Sequence, residues 1–127
     1  MLVVDASVVV DFLLEPDRLR ERFREGGDDL HAPAHLDVEV LSALRGLAQR
    51  GTLTAGRARG AVDDLVDLPL SRYDVTPFLR RSWELRDRVS AYDAPYVALA
   101  EALDVTLITR DERLARTSGH TARIEAV

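Results

Sequence analysis

Four carboxylates fall where the local pattern of this chain changes from one kind of element to another. Asp5 ends the apolar run Met1–Val4, Glu39 lies in the first turns of a helical stripe, Asp93 precedes Ala94-Pro95, and Asp111 follows Leu107-Ile108-Thr109 by two residues. Each alone reads as a helix cap, since an acidic side chain accepts from free first-turn N–H groups and suits the helix dipole. As a set they read differently. If the strands are parallel, all four project toward one end of the sheet, and like charges converging on one crevice repel unless a cation relieves them. There is no cysteine. His31 and His35 are four apart, but Pro33 between them argues against one continuous helix, so no HExxH zinc site is present. Oxygen donors alone point to Mg²⁺ or Mn²⁺. Such an ion lowers the pKa of a water and stabilises the leaving oxygen in phosphodiester cleavage. Ser7 and Thr109 flank the site, with hydroxyls able to orient a water or a phosphate, or to cap a helix and pack a strand. The three histidines read as structural or surface residues.

The elements that must hold these groups follow from periodicity. Leu2-Val3-Val4 lacks the alternation of a half-exposed strand and suits one buried on both faces. Ser7–Leu14 is a helix apolar on nearly every side, stopped by Pro16. Asp17 is expected to cap a second helix ended by Gly26-Gly27. Residues 29–32 suit a short strand. Leu36, Val40, Leu44 and Leu47 mark a third helix to about Arg50, with Gly51 at its C′ position, and Thr54 opens a fourth that Pro69 closes. A weak strand is expected over 71–75. Thr76-Pro77 starts a fifth helix using Leu79, Trp83, Leu85 and Val89, with Trp83, the only tryptophan, placed in the core. Residues 92–103 form a sixth helix, 105–109 a buried strand, 111–117 a short helix capped at Asp111, and 122–127 an edge strand. Alternating strands and helices imply a central, mostly parallel sheet of four to five strands covered by about seven helices, in a single domain spanning 1–127.

Composition narrows the class. With 127 residues, 46% of them apolar, the chain suits one folded domain. No apolar run nears the roughly 18 residues of a membrane span, and no basic-then-apolar leader opens the chain, so a cytoplasmic protein without a membrane partner is expected. The net charge is −5, but all 17 basic residues are arginine. Two clusters stand out, Arg18 to Arg24 and Arg110 to Arg116. An acidic pocket rimmed by arginine is compatible with a phosphate backbone, whereas a salt-bridged surface is the plainer reading of any single arginine.

Four segments together, Leu2–Ser7, Val38-Glu39-Val40, Tyr92-Asp93-Ala94-Pro95-Tyr96-Val97-Ala98-Leu99-Ala100 and Leu107–Leu114, resemble the PIN-domain family and, more narrowly, the VapC toxins of type II toxin–antitoxin systems. The resemblance covers essentially the whole chain. It implies a PIN-like three-layer α/β/α sandwich, a Mg²⁺- or Mn²⁺-dependent endoribonuclease acting on RNA, a homodimer, and a cognate VapB-type antitoxin that blocks the acidic pocket. Carried over residue by residue, Asp5, Glu39, Asp93 and Asp111 match the acidic quartet, with Asp5 and Asp93 as principal metal ligands, and Ser7 and Thr109 match the polar positions beside it. The apolar helix 8–14 and the hairpin 36–66 offer surface to an antitoxin helix.

Two other classes are weighed against this. A receiver-like switch or an aspartate-nucleophile phosphatase also places carboxylates at strand ends, but both normally use a lysine, which this chain lacks. A PIN-like module that grips RNA without cutting it would be expected to lose quartet members, and none is lost.

Overall fold

The computed structural model describes residues 1–127. The elements in order are β1 (Leu2–Val4), α1 (Ala6–Leu14), α2 (Asp17–Glu25), β2 (Leu30–Pro33), α3 (Leu36–Gln49), α4 (Ala55–Asp67), β3 (Leu70–Tyr73), a 3₁₀ turn (Thr76–Phe78), α5 (Leu79–Glu84), α6 (Ala94–Leu103), β4 (Thr106–Thr109), α7 (Glu112–Ala115) and β5 (Ile124–Ala126). All five strands are parallel, in the order β3-β2-β1-β4-β5. No helix is long and apolar enough to cross a membrane.

The unbroken apolar run places β1 at the centre. Leu2, Val3 and Val4 are buried on both faces, pairing with Leu30 and His31 on one side and with Thr106, Leu107 and Ile108 on the other. Burial of each such side chain is worth about 1.5–3 kcal/mol. This anchors the residue that follows, Asp5. The chain winds outward from β1 through β2 to β3, then returns across the sheet to β4 on the other side of β1. Helices α1 to α4 pack together on the outward path, and α6 packs on β1, β2 and β4 along the return. Right-handed crossovers running in opposite directions put these two groups on opposite faces, giving three layers. The reversal leaves a crevice between the carboxyl ends of β1 and β4, the place where open α/β sheets bind ligands.

The local signals for α3 and α4 hold. Gly51 adopts φ +74 just past α3, and the Thr54 hydroxyl accepts from the Arg57 N–H at 3.1 Å to cap α4. Three expectations are corrected. Asp17 does not cap α2: Pro16 takes that position and Asp17 stands in the first turn. β2 is shifted by one residue from the expected 29–32 and ends on Pro33, which lies beyond the stretch that pairs with β1, where its missing N–H costs that neighbour nothing. The fifth helix stops at Glu84, and 85–89 form turns. Leu85 becomes the buried residue of that segment, while Leu79 and Trp83, one turn apart on the same helical face, point outward. Trp83 is 68% exposed and is not core.

Candidate active site

The crevice is built from four elements, each supplying one acid. Asp5, Ser7, Glu39, Asp93, Tyr96 and Asp111 line a cavity of about 180 Å³. The structure thus brings together all four acids singled out in the sequence. It treats them differently.

Asp5 is only 7% exposed and does two jobs. Its extended backbone places it as the N-cap of α1, where Oδ1 accepts from the Val8 N–H at 3.0 Å. The Ser7 hydroxyl donates to the same oxygen at 2.5 Å, and the Thr109 hydroxyl donates to Oδ2. Both hydroxyls also accept from the loop after β4: Ser7 Oγ from the Arg110 N–H at 3.1 Å, and Thr109 Oγ1 from the Asp111 N–H at 3.0 Å. Ser7 and Thr109 therefore tie Asp5 to the segment carrying Asp111. Burial pushes the Asp5 carboxyl above its ordinary range, an effect these donors oppose.

Asp93 stands at the N-cap position of α6, yet its side chain accepts no capping hydrogen bond. Its backbone is already helical and Pro95, at the second helical position, has no N–H to offer. The carboxylate is thus left to the cavity, and the cap expected of Asp93 does not form. Burial raises its pKa, and the Asp5 and Asp111 charges raise it further. Asp111 does cap its helix, Oδ1 accepting from the Arg113 and Leu114 N–H groups at 2.9 and 3.3 Å.

Glu39 extends from the first turn of α3 and accepts from the Tyr96 hydroxyl at 2.8 Å, with His35 Nε2 3.2 Å from the same oxygen. Burial raises its pKa, Tyr96 and His35 oppose that, and Asp93 and Asp5 add to it. The Tyr96 bond joins the two helical layers over the carboxyl edge of the sheet. Tyr96 is not among the candidate site residues of the sequence analysis, and His35 is expected there to be structural or at the surface. A helical signal for both was present: His35 lies four residues before Glu39, and Tyr96 three after Asp93, spacings that share a face.

One electrostatic fact stands out. None of the arginines forms an ion pair with Asp5, Glu39, Asp93 or Asp111. Arg110, next to the site in sequence, turns to Asp11 at 2.6 Å instead. The four acids therefore receive no counter-charge from the arginines of the chain. No three acidic or imidazole side chains converge on one point, so the protein alone does not cage an ion. Mg²⁺ needs no cage: it keeps several waters and takes one or two carboxylates, and an all-oxygen donor set suits it. The residues present fit a hydrated hard cation.

The description "PIN domain" fits residues 2–120 of the chain. It is 41% identical over 128 residues to Ribonuclease VapC12 of Mycobacterium tuberculosis, covering 100% of this chain and 99% of that protein. It is 44% identical over 117 residues to VapC ribonuclease Mb0985 of Mycobacterium bovis, covering 92% and 91%. Among solved structures it resembles DNA-bound VapBC from Salmonella typhimurium, with a TM-score of 0.69 and 19% identity over 98% of this chain and 96% of that one.

Proposed function

The chain belongs to the PIN-domain family, and from that premise we propose that it is the endoribonuclease toxin of a VapBC-type toxin–antitoxin module, cutting RNA phosphodiester bonds with Mg²⁺ or Mn²⁺ at the acidic crevice. The observation that carries the site assignment is four acids from four elements lining one cavity with no arginine among them. When bound, the divalent ion supplies a Lewis acid that acidifies a water and takes up charge on the leaving oxygen. Asp5 and Asp93 are its principal holders. Asp5 is the rigid one, fixed by Ser7, Thr109 and the Val8 N–H. Asp93 is the free one, with no competing bond from its own helix. Glu39, oriented by Tyr96 and His35, and Asp111, held by the first turn of α7, position the attacking water. The raised pKa of Glu39 brings it nearer to a proton acceptor's working range.

The partners follow the same reading: an RNA substrate, a homodimer and a VapB-type antitoxin, acting in the cytoplasm. For the antitoxin, the α3–α4 cleft carries exposed Val38, Leu41 and Val66 and suits the apolar face of a helix. The outer turns of α1 contribute less than expected, since Val8, Val9 and Leu13 are buried within this chain.

The test is purified, antitoxin-free protein incubated with total RNA, with and without Mg²⁺ or Mn²⁺, and new 5′ ends mapped. Discrete ends that require the divalent ion are expected. Ends that form equally in chelator, or none in any condition, overturn the reading.

A further inference from the structure

This inference rests on the ribonuclease reading and concerns the path of the RNA beyond the acids. Asp93 and Asp111 also border a second opening, together with Ser90, Arg88 and Arg113. Val89 and Ser90 are shared with a third cleft, of about 400 Å³, bordered by Leu79, Trp83 and Arg86. The three thus adjoin in turn through shared lining residues: an acidic end, a stretch with two guanidinium groups, and an apolar aromatic end.

Two features mark this as a nucleic-acid track. Trp83 is 68% exposed, and the Arg86 guanidinium lies 4.7 Å from its ring centroid, fixed there by donating to the Trp83 carbonyl at 3.0 Å. One ring face is covered by a cation and the indole is otherwise open. Moreover, Arg86, Arg88 and Arg113 are among the arginines of the chain that form no ion pair, and these three border the two clefts beyond the acids, so their charge is available to a ligand there. Arg88 is steadied by Ser118 Oγ at 2.9 Å. Carboxylates repel a phosphate chain, so a strand whose reacting phosphate sits at the acids needs cations immediately beyond them. Proteins that hold single strands combine such a basic groove with an aromatic face on which a base stacks.

We propose that Trp83, backed by Arg86, is a stacking platform for a nucleobase of single-stranded RNA, and that Arg88 and Arg113 hold the phosphates between that base and the acidic crevice. Charge complementarity and adjacency to the crevice favour RNA over a second copy of the chain on this face. Trp83 and the three arginines are binding and positioning residues; they do not touch the reacting atoms.

Because Trp83 is the only tryptophan, its fluorescence reports the platform directly. A single-stranded RNA of about 12 nucleotides, within the span such grooves cover, is titrated in chelator so that no cleavage intervenes. Saturable quenching is expected. By anisotropy of the labelled RNA, Trp83→Ala lowers affinity about 5- to 150-fold, the range for loss of one stacked base, and Trp83→Tyr restores most of it. Arg88→Gln and Arg113→Gln each flatten the dependence of log affinity on log salt by about 0.7. Absence of quenching, or unchanged affinity in Trp83→Ala, overturns the platform. So does a Trp83→Ala protein that falls from dimer to monomer with unchanged affinity per protomer, because the face is then a protein interface. If the native protein cuts RNA while Trp83→Ala binds it normally, only the platform falls; if the native protein cuts no RNA, the ribonuclease reading falls with it.

Discussion

Asp93 and Glu101 stand at opposite ends of α6, and the molecule treats their charges in opposite ways. Glu101 is gripped by both arms of Arg81, each at 2.9 Å, and accepts from the Thr121 N–H at 2.9 Å. Its carboxyl is held down to about 2, first by the Arg81 hydrogen bonds. Asp93 has no arginine and no capping N–H, and burial beside Asp5 and Asp111 pushes it up. With 17 arginines in the chain, counter-charge is not scarce. One end of the helix is neutralised by the protein itself. The other keeps its charge in a form that an external cation can meet.

The sharpest way to break this contrast is to neutralise Asp93. Asp93→Asn is expected to lower divalent-dependent RNA cleavage at least about 100-fold, the scale of losing several kcal/mol of metal-borne stabilisation, while the melting temperature stays level or rises as repulsion is relieved. Asp5→Ala loses activity equally but also loses about 2–4 kcal/mol of stability and so melts earlier, because it removes the α1 cap and strands the buried Thr109 hydroxyl. Thermal melts beside a cleavage assay separate the two, and an Asp93→Asn protein that still cuts at the native rate would sink the assignment.

Cation binding itself comes next. Mg²⁺ at about 100 times its dissociation constant should stabilise the native protein by about 2.7 kcal/mol, seen as a higher melting temperature absent in potassium chloride of matched ionic strength. In Asp93→Asn that gain should largely vanish. An equal gain in both proteins would mean that the ion binds elsewhere.

Glu101→Gln probes the neutralised end. It is expected to cost about 1–3 kcal/mol in urea unfolding, the range for charged hydrogen bonds, with Mg²⁺-dependent cleavage retained at temperatures well below the melt. Loss of cleavage in a still-folded Glu101→Gln protein would show that the two ends of α6 are not independent.

The smallest effect is in acid. Glu101 has its folded pKa lowered from 4.5 to about 2. Its contribution is therefore fully present above about pH 4.5 and lost as pH falls toward 2. Unfolding free energy measured across that window should fall less steeply in Glu101→Gln than in the native chain. Parallel curves would remove the Arg81–Glu101 pair as a source of acid sensitivity.

Much of the site was legible because its signals are local. An apolar run ending in Asp5, an Asp ahead of Ala-Pro and an Asp two residues after a buried strand each declare a position at the end of an element. Their common direction then needed only the expectation of a parallel sheet. The roles within the set were less legible. Asp5 and Asp93 are both acids at helix starts, yet one is a bound cap and the other is free, and that difference rests on backbone angles and on the register of β1 against β4. Trp83 was misplaced because an i, i+4 apolar pair on a helix normally faces the core. Here α5 ends after six residues, and Leu85, in the following turn, takes the buried place.

The sequence by itself determined the strands, the parallel α/β class, the four acids and the oxygen-only donor set, because periodicity, capping chemistry and composition act over a few residues. Only the tertiary structure decided which arginines are neutralised, that the crevice acids have none, that Ser7 and Thr109 tie Asp5 to the loop after β4, and that an unburied indole lies beyond Arg88 and Arg113. Those are distances between residues up to about a hundred positions apart, such as Asp5 and Thr109 at a separation of 104, and no local pattern encodes them.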